Sequence, residues 1–257
     1  MPGAAGSGTL GAMTRWRSAV LLGAAIMAAA GEAWARRTRA TCEERRRSLP
    51  GDEIVPQPMW QATRATTIDA PPEAVWPWLV QMGFPTQRAG WYTPFWLDRL
   101  VFGIRARSAD RIVPEFQQLA VGDRVSDSES GISYFTAERV DPPRALVLHS
   151  RTHLLPMYRN VCFGWAFVLV DAQPGTRLIM RARVRYAPVW PAALVRVLMR
   201  VGFDAGDVLQ AGAMLNGIRR RAERGSAGEL PVAPVAQPVR PPIAARAPER
   251  AADIAAA

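Results

Sequence analysis

The sequence contains no lysine, so its positive charge comes from arginine alone. All 32 basic residues are Arg, against 22 Asp and Glu, which gives a formal net charge of +10. Gly and Pro are abundant while Asn occurs only at positions 160 and 216, a pattern typical of biased coding composition. The arginines are spread along the chain, whereas nucleic-acid binders usually gather them on one face. We therefore predict no nucleic-acid partner.

Cysteine and histidine are also scarce. Cys42 and Cys162 give no disulfide framework and are interpreted as free thiols. His149 and His153 are too few for a histidine-rich metal site, and the chain has no CxxC, HExxH, GxSxG or P-loop motif. His149 lies near a predicted strand end as a candidate general base, but no nucleophile or carboxylate follows at a recognisable spacing. The sequence therefore predicts no metal, no cofactor and no assignable catalytic residue.

An uncharged apolar run, residues 18–31, follows a basic segment, residues 1–17. Extended to residue 35, this run suits a transmembrane anchor, a signal peptide cleaved near Ala35, or a helix of a soluble protein. Six arginines follow the run and two precede it, which favours an anchor with the remaining chain in the cytoplasm. Export after signal cleavage is the alternative.

Residues 36–60 are predicted to be a linker before a folded domain at residues 61–224. The hydrophobic periodicity and turn signals of that domain predict strands and helices in a definite order. These are an edge-like strand at 62–70, short helices at 71–83 and 93–103, strands at 123–127, 133–140, 144–150, 161–170 and 175–186, and a long helix at 188–224. Several glycines predict a bend in the long helix. Residues 225–257, rich in Ala and Pro, are predicted to be disordered.

This order predicts an α+β fold, because an antiparallel sheet with one amphipathic helix buries its inner face by curling around that helix. Alternation places an apolar face of each long strand inward. The strand at 161–170 turns Phe163, Trp165, Phe167 and Leu169 to one face, and the strand at 175–186 turns Met180 inward. Its arginines, at 177, 181, 183 and 185, are expected in solvent, or alternatively as an anion-binding or membrane-facing stripe. For the strand at 133–140, the sequence does not decide which of the two faces points inward.

Several local stretches resemble one protein superfamily. They are "PGDEIV", "ATRATTIDAPPEAVWPWLVQMG", "RAGWYTPFWLD", "SADRIVPEFQQLAVGD" and "MLNGIRRRAE". Together they resemble a bacterial branch of the START-like, Bet v1-like (SRPBCC, polyketide cyclase-like) superfamily, whose members often carry an N-terminal hydrophobic segment. The resemblance covers about residues 50–224. It implies a helix-grip fold, in which a curled antiparallel sheet surrounds a long C-terminal helix and two short helices close one end. It implies no catalytic residues.

The stretch "RAGWYTPFWLD", residues 88–98, packs four aromatic residues into a predicted loop and helix start. The resemblance places it at the closed end of a cavity, where its aromatic residues form a lid or wall; the alternative is that they plug the core. A lid facing a void has few protein partners, so Trp91→Ala is expected to cost only about 1 kcal/mol of stability. The predicted ligand-binding residues are Arg88, Trp91, Tyr92, Trp96, Tyr134, Phe163, Trp165, Phe167, Met180 and Leu215.

These features support a membrane-tethered domain that binds a lipid or another apolar small molecule between sheet and helix. The alternative is an enzyme of the cyclase, aromatase or hydrolase type in the same cavity, with Arg88, Tyr92, Tyr134 and His149 as polar candidates. A third hypothesis is an interaction protein whose basic linker and tail recruit partners. The sequence leaves enzymatic activity and oligomeric state open.

Overall fold

The protein is built on one six-stranded antiparallel sheet with the strand order β1-β6-β5-β4-β3-β2. The computed structural model describes residues 31–101, 103–153, 158–188 and 206–226, together with Gly23, Ala29 and Asp204. The strands are β1 (Trp60–Ile68), β2 (Arg124–Ser126), β3 (Tyr134–Asp141), β4 (Ala145–Ser150), β5 (Tyr158–Asp171) and β6 (Thr176–Pro188). The predicted strands are confirmed within a few residues, and β1 lies at an edge as expected.

Within the described residues, five α-helices accompany the sheet. They are α1 (31–37), α2 (Cys42–Arg46), α3 (Pro72–Val80), α4 (Phe95–Val101) and α5 (Gly212–Ser226). Thr41 caps α2, because its hydroxyl accepts a hydrogen bond from the Glu44 amide while the Glu44 carboxylate accepts one from the Thr41 amide. A π-helical turn, Asp207–Ala211, leads into α5. This irregularity falls where glycines weaken the predicted long helix; residues 188–203 of that prediction lie mostly outside the described part of the chain.

Helix α5 and the short helix α3 pack on the inner face of the sheet. Their apolar side chains share one core cluster with residues from β3, β4, β5 and β6. Leu215 and Ile218 of α5 are fully buried there, as are Phe167 of β5 and Met180 of β6. The fold is therefore α+β, a curled antiparallel sheet gripping a C-terminal helix, and the predicted fold class is confirmed.

Alternation along the strands decides which side chains enter this core. Trp165, Phe167 and Leu169 of β5 belong to the core cluster and Phe163 packs against it, as predicted. In β3, Phe135 and Ala137 are the inward residues. Consequently the neighbouring side chains of that strand, Tyr134 and Thr136, lie on the outer face of the sheet.

The outer face of the sheet is covered by residues 38–55, which we call the strap. Three apolar strap residues, Ala40, Leu49 and Val55, are buried. Ala40 and Leu49 pack in a second cluster with outer-face side chains of β1, β4, β5 and β6. The strap runs through the stretch that the sequence suggests is a linker, yet it packs as part of the domain.

The strap changes the environment of the arginines on β6. Arg185 is exposed, as expected, but Arg181 is only 3% exposed and Arg183 is largely covered. The expectation that all four arginines face solvent is therefore wrong, because the strap covers Arg177, Arg181 and Arg183. Arg177 makes a two-pronged contact with the Glu44 carboxylate, and this contact holds the pKa of Glu44 below its usual value.

Arg181 is the central residue of the contact between the strap and the sheet, because every N–H of its guanidinium has an acceptor. Burying a charged group is expensive unless it is paired and fully hydrogen-bonded. Its partners are the Thr63 hydroxyl, the Asp52 carboxylate and the carbonyls of Glu44, Arg45 and Arg47. The three carbonyls belong to the last turn of α2 and the residue after it, so one side chain from β6 fixes the strap to the sheet.

The ends of the chain fall largely outside the described residues. This applies to most of the predicted membrane or signal segment at 18–35 and to the predicted disordered tail at 225–257. Among the residues that the structure describes, no helix combines the length and apolar character needed to cross a membrane. The described end of the segment, α1, packs on the domain, where Trp34 contacts a small cluster with Leu97 and Ala213.

Candidate functional site

Five aromatic side chains meet on the inner face of the sheet and form what we call the inner aromatic cluster. Its members are Trp91, Phe135, Phe163, Trp165 and Phe167. Trp165 is central, with its ring centroid 5.4 Å from that of Trp91, 5.5 Å from Phe135, 5.7 Å from Phe163 and 5.2 Å from Phe167. These are separations at which aromatic rings attract each other, and the four contacts of Trp165 are tilted or stacked.

Three structural elements bring the cluster together. Strand β5 supplies Phe163, Trp165 and Phe167 at a spacing of two, which turns all three to the inner face. Strand β3 supplies Phe135 from the far side of β4. The loop between α3 and α4 supplies Trp91, which folds inward over the sheet.

Tyr92, the residue after Trp91, holds that loop in place. The Tyr92 backbone has a positive φ of 61°, which directs its side chain toward α3, where the hydroxyl donates to the Trp78 carbonyl over 2.9 Å. The Tyr92 amide donates to the Ser108 hydroxyl, and the Arg221 guanidinium lies over the ring. Burial raises the pKa of Tyr92 far above its usual value, so the hydroxyl stays protonated.

Trp91 is therefore packed as a core residue. Only 3% of it is exposed, and it contacts both Trp165 and Phe135. The expectation that Trp91→Ala costs little stability is corrected, because that expectation required a side chain with few protein partners.

Two indole N–H groups in the cluster lack acceptors within the described part of the chain. Neither Trp91 Nε1 nor Trp165 Nε1 has a hydrogen-bond partner among the residues that the structure describes, although Trp165 is only 6% exposed and Trp91 less still. The indole N–H is a donor only, and leaving such a donor buried without an acceptor costs about 1–3 kcal/mol. Two such donors on adjacent rings form an unusual feature of an otherwise apolar cluster.

A polar group closes one edge of the cluster. The His153 ring lies 4.6 Å from Phe135 and 5.8 Å from Phe163, measured between centroids. His153 Nε2 is 2.7 Å from an Asp127 carboxylate oxygen, and Nδ1 is 2.6 Å from the Ser150 hydroxyl. Both ring nitrogens are thus engaged by protein groups, which fixes the ring as a wall of the cluster.

The structure brings most of the predicted ligand-binding residues to this region. Trp91, Phe163, Trp165 and Phe167 belong to the inner aromatic cluster itself. Tyr92, Met180 and Leu215 lie in the same apolar core. Their role in binding stays a prediction.

Arg88 lies near this core, but its guanidinium already has partners. It donates to the carbonyls of Met82 and Val80 at the end of α3, and it lies 5.2 Å from the centroid of the Phe116 ring. Burial lowers the pKa of Arg88 below its usual value. Through these contacts Arg88 caps the C-terminal end of α3, so its side chain is already engaged by protein groups.

Trp96 and Tyr134 are not brought to the cluster. Trp96 is 37% exposed and stacks on Trp34 with centroids 6.1 Å apart, so it joins α4 to α1. Tyr134 lies on the outer face, where the Arg124 guanidinium is 4.4 Å from its ring centroid. The alternation of β3 did not by itself reveal which face was inward.

Sequence reasoning missed two members of the site, Phe135 and His153. Phe135 carried a usable signal, because Phe135 and Ala137 share one face of the strand and apolar side chains favour the buried face. His153 follows the end of β4, and only the folded chain shows that it meets Asp127. No group of three or more His, Cys, Asp or Glu residues suited to a metal ion occurs within the described ranges.

Comparison with known proteins gives distant structural likenesses only. No family model and no curated protein matches the chain. A polyketide-cyclase-like protein from Corynebacterium glutamicum is 11% identical with a TM-score of 0.37, covering 67% of this chain and 96% of that one. A protein from Mesorhizobium loti is 16% identical with a TM-score of 0.36, covering 64% and 98%.

The di-domain ARO/CYC StfQ from the steffimycin biosynthetic pathway is a third match. It is 10% identical with a TM-score of 0.38, covering 65% of this chain and 51% of that one. Structures of the polyketide cyclase-like type are thus found among the matches. Because these likenesses are remote, the fold assignment rests on the strand order and on the position of α5 in this chain.

Proposed function

We propose that the domain binds a planar, apolar small molecule that carries a hydrogen-bond acceptor, against the inner aromatic cluster. The unpartnered N–H groups of Trp91 and Trp165 carry this proposal. A ligand oxygen would satisfy a donor that the described residues leave unpaired, while the ligand's rings would stack on the surrounding aromatic faces.

The surroundings of the two indoles suit such a ligand. Ligand sites are mostly apolar, with a few placed polar groups that fix orientation. Here the apolar part comes from Phe135, Phe163 and Phe167, and the two indole donors lie on rings only 5.4 Å apart. A carbonyl or ether oxygen of a fused-ring compound has the chemistry to accept from either donor.

Replacing Trp165 with phenylalanine tests the proposal, because the ring remains while the N–H is lost. We expect Trp165→Phe to weaken binding of 9,10-anthraquinone about 2- to 12-fold, the equivalent of a hydrogen bond worth ~0.5–1.5 kcal/mol. Binding of anthracene, which lacks an acceptor, should change less than about 2-fold. Quenching of tryptophan fluorescence by each compound provides the dissociation constants, and Trp91→Phe should behave in the same way.

Trp96→Phe is the matched control, since Trp96 lies outside the cluster and its replacement should affect neither compound. Wild-type protein that binds neither compound would contradict the proposal. Equal losses for anthraquinone and anthracene in Trp165→Phe would contradict the role of the N–H groups.

We also propose that the domain is tethered to a membrane through residues 18–35 and lies in the cytoplasm. The supporting observation is Trp34, which is 8% exposed and packs against Leu97 and Ala213. Cleavage after Ala35 would remove Trp34 from this contact and leave an apolar gap beside α4. An uncleaved segment keeps it.

Intact mass spectrometry of the full chain, isolated from membranes of the expressing cells, checks the tether. We expect the mass of the uncleaved chain in the membrane fraction after a high-salt wash. The mass of a cleaved chain that begins at Arg36 would contradict the tether. Release of the full-length chain by the salt wash would also contradict it.

The enzyme alternative receives no support from the four polar candidates named above. Arg88 and Tyr92 donate to backbone carbonyls of α3 and the residues after it, on the inner side. Tyr134 and His149 lie on the outer face of the sheet, with the strands between the two pairs. They do not form one site.

A further inference from the structure

A thiol, an imidazole and a carboxylate stand in line on the outer face of the sheet, away from the inner aromatic cluster. Cys162 Sγ lies 3.3 Å from His149 Nε2, and His149 Nδ1 lies 3.3 Å from a Glu138 carboxylate oxygen. Cys162 is a free thiol of intermediate exposure, and the backbone carbonyl of Ile54 in the strap is 3.9 Å from its sulfur.

The sheet itself produces this line. Strands β3, β4 and β5 are neighbours, and each contributes one of the three residues. His149 pairs with Gly164 of β5, two residues from Cys162 on the same face. The β3–β4 ladder shifts register between Ala137 and Arg139, and Glu138 is the additional residue there. Such an irregularity redirects a side chain, in this case toward His149.

From this geometry we propose that Cys162 is a nucleophilic thiol for which His149 is the general base and Glu138 the residue that orients the imidazole. A nucleophile within reach of a base, with the base held by a third group, is the arrangement that activates thiols and hydroxyls in proteins. The site is separate from the inner aromatic cluster, so it does not depend on the proposed ligand.

The chemistry that fits is attack on a small, soft carbon electrophile. The sulfur forms the S–C bond, the leaving group departs with its electron pair, and the thiol proton passes to His149 Nε2. Arg185 stands directly opposite Cys162 in the β5–β6 register and is exposed. Side chains so paired lie within about 4.5–5.5 Å at Cβ, so the cation favours an electrophile that carries a carboxylate.

Alkylation of the full-length protein tests the proposal, with Cys42 as a reference in the same molecule. Iodoacetamide and iodoacetate are the probes, and peptide mass spectrometry measures the rate at each cysteine. His149→Gln should slow alkylation of Cys162 at least about 10-fold and leave the rate at Cys42 unchanged. Added imidazole should restore part of the rate at Cys162 in His149→Ala, which a loss of packing alone would not allow.

Two further variants separate orientation and charge. Glu138→Gln should slow Cys162 about 2- to 5-fold with both probes, and Glu138→Asp should recover part of that loss. Arg185→Gln should slow iodoacetate more than iodoacetamide; because Arg185 is exposed, this variant keeps the fold. Equal rates at Cys162 in wild type and His149→Gln, or no alkylation of Cys162 in the native protein, would overturn the proposal. An unchanged ratio of the two probes in Arg185→Gln would overturn the preference for a carboxylate.

Discussion

Replacing Arg181 with methionine is expected to lower the free energy of unfolding by about 3–5 kcal/mol, the cost typical of breaking a buried ion pair. Methionine fills a similar space but donates no hydrogen bond. The Asp52 carboxylate and three carbonyls in and after α2 would each lose the hydrogen bond from Arg181. Since domains are stable by only ~5–15 kcal/mol, urea denaturation should show a much lower midpoint.

Arg185→Met is the matched control, because Arg185 lies on the same strand and the same face but is exposed. Its effect should stay within about 0.5 kcal/mol, as for most surface substitutions. If the two variants were equally stable, the buried network around Arg181 would not hold the strap. A double variant with Asp52→Asn should cost less than the sum of the single variants, since the two groups interact.

Replacing Gly217 with alanine is expected to destabilise the domain by at least about 3 kcal/mol, the upper end of the range for overpacking. A Cβ at position 217 would lie 2.0 Å from the Tyr92 carbonyl oxygen. The obstacle is backbone, and Tyr92 is fixed by the hydrogen bond from its hydroxyl to Trp78, so the loop cannot easily withdraw. Thermal unfolding followed by circular dichroism measures the loss.

Gly206→Ala is the control for this variant. Gly206 has helical φ and ψ of −61° and −43°, and a Cβ there would meet no atom of the described residues within 4 Å. Alanine should stabilise the helix at that position by about 0.5–1 kcal/mol. A stable Gly217→Ala variant would show that the loop does not approach α5 as closely as the structure has it.

The strands were predictable because their sequence repeats a simple pattern. In β5 the large aromatic residues recur at every second position, and in β6 apolar residues alternate with arginines. Pro and Gly then separate the strands. These local signals establish the order of the elements, and that order restricts the fold to a sheet curled around α5.

The strap was not predictable in the same way. Residues 38–55 are charged and short of periodic apolar residues, which is typical of a linker. Their burial depends on Arg181, whose charge suggests solvent until its acceptors are known. Four of those five acceptors are carbonyls and a carboxylate about 130 positions earlier in the chain, a relation that no local pattern contains.

Each of the two sites likewise has a part that the sequence predicts and a part that depends on the folded chain. The aromatic face of β5 could be predicted from alternation, but the contact of Trp91 with Trp165 depends on how the loop before α4 returns to the sheet. The pairing of His149 with Cys162 depends on the register of β4 against β5. A slip of one residue in that register would move one of the two side chains to the other face.

The position of the strap in the chain also sets an order on folding while the protein is being synthesised. The ribosome completes residues 38–55 long before the part of β6 that binds them, since Asp52 and Arg181 are 129 positions apart. At about 5–20 residues per second, roughly 6–26 s pass between the two. During that interval Leu49 and Val55 cannot pack on the complete sheet, because β6 is still unfinished. The part of the domain that is translated first therefore cannot dock until β6 has been made.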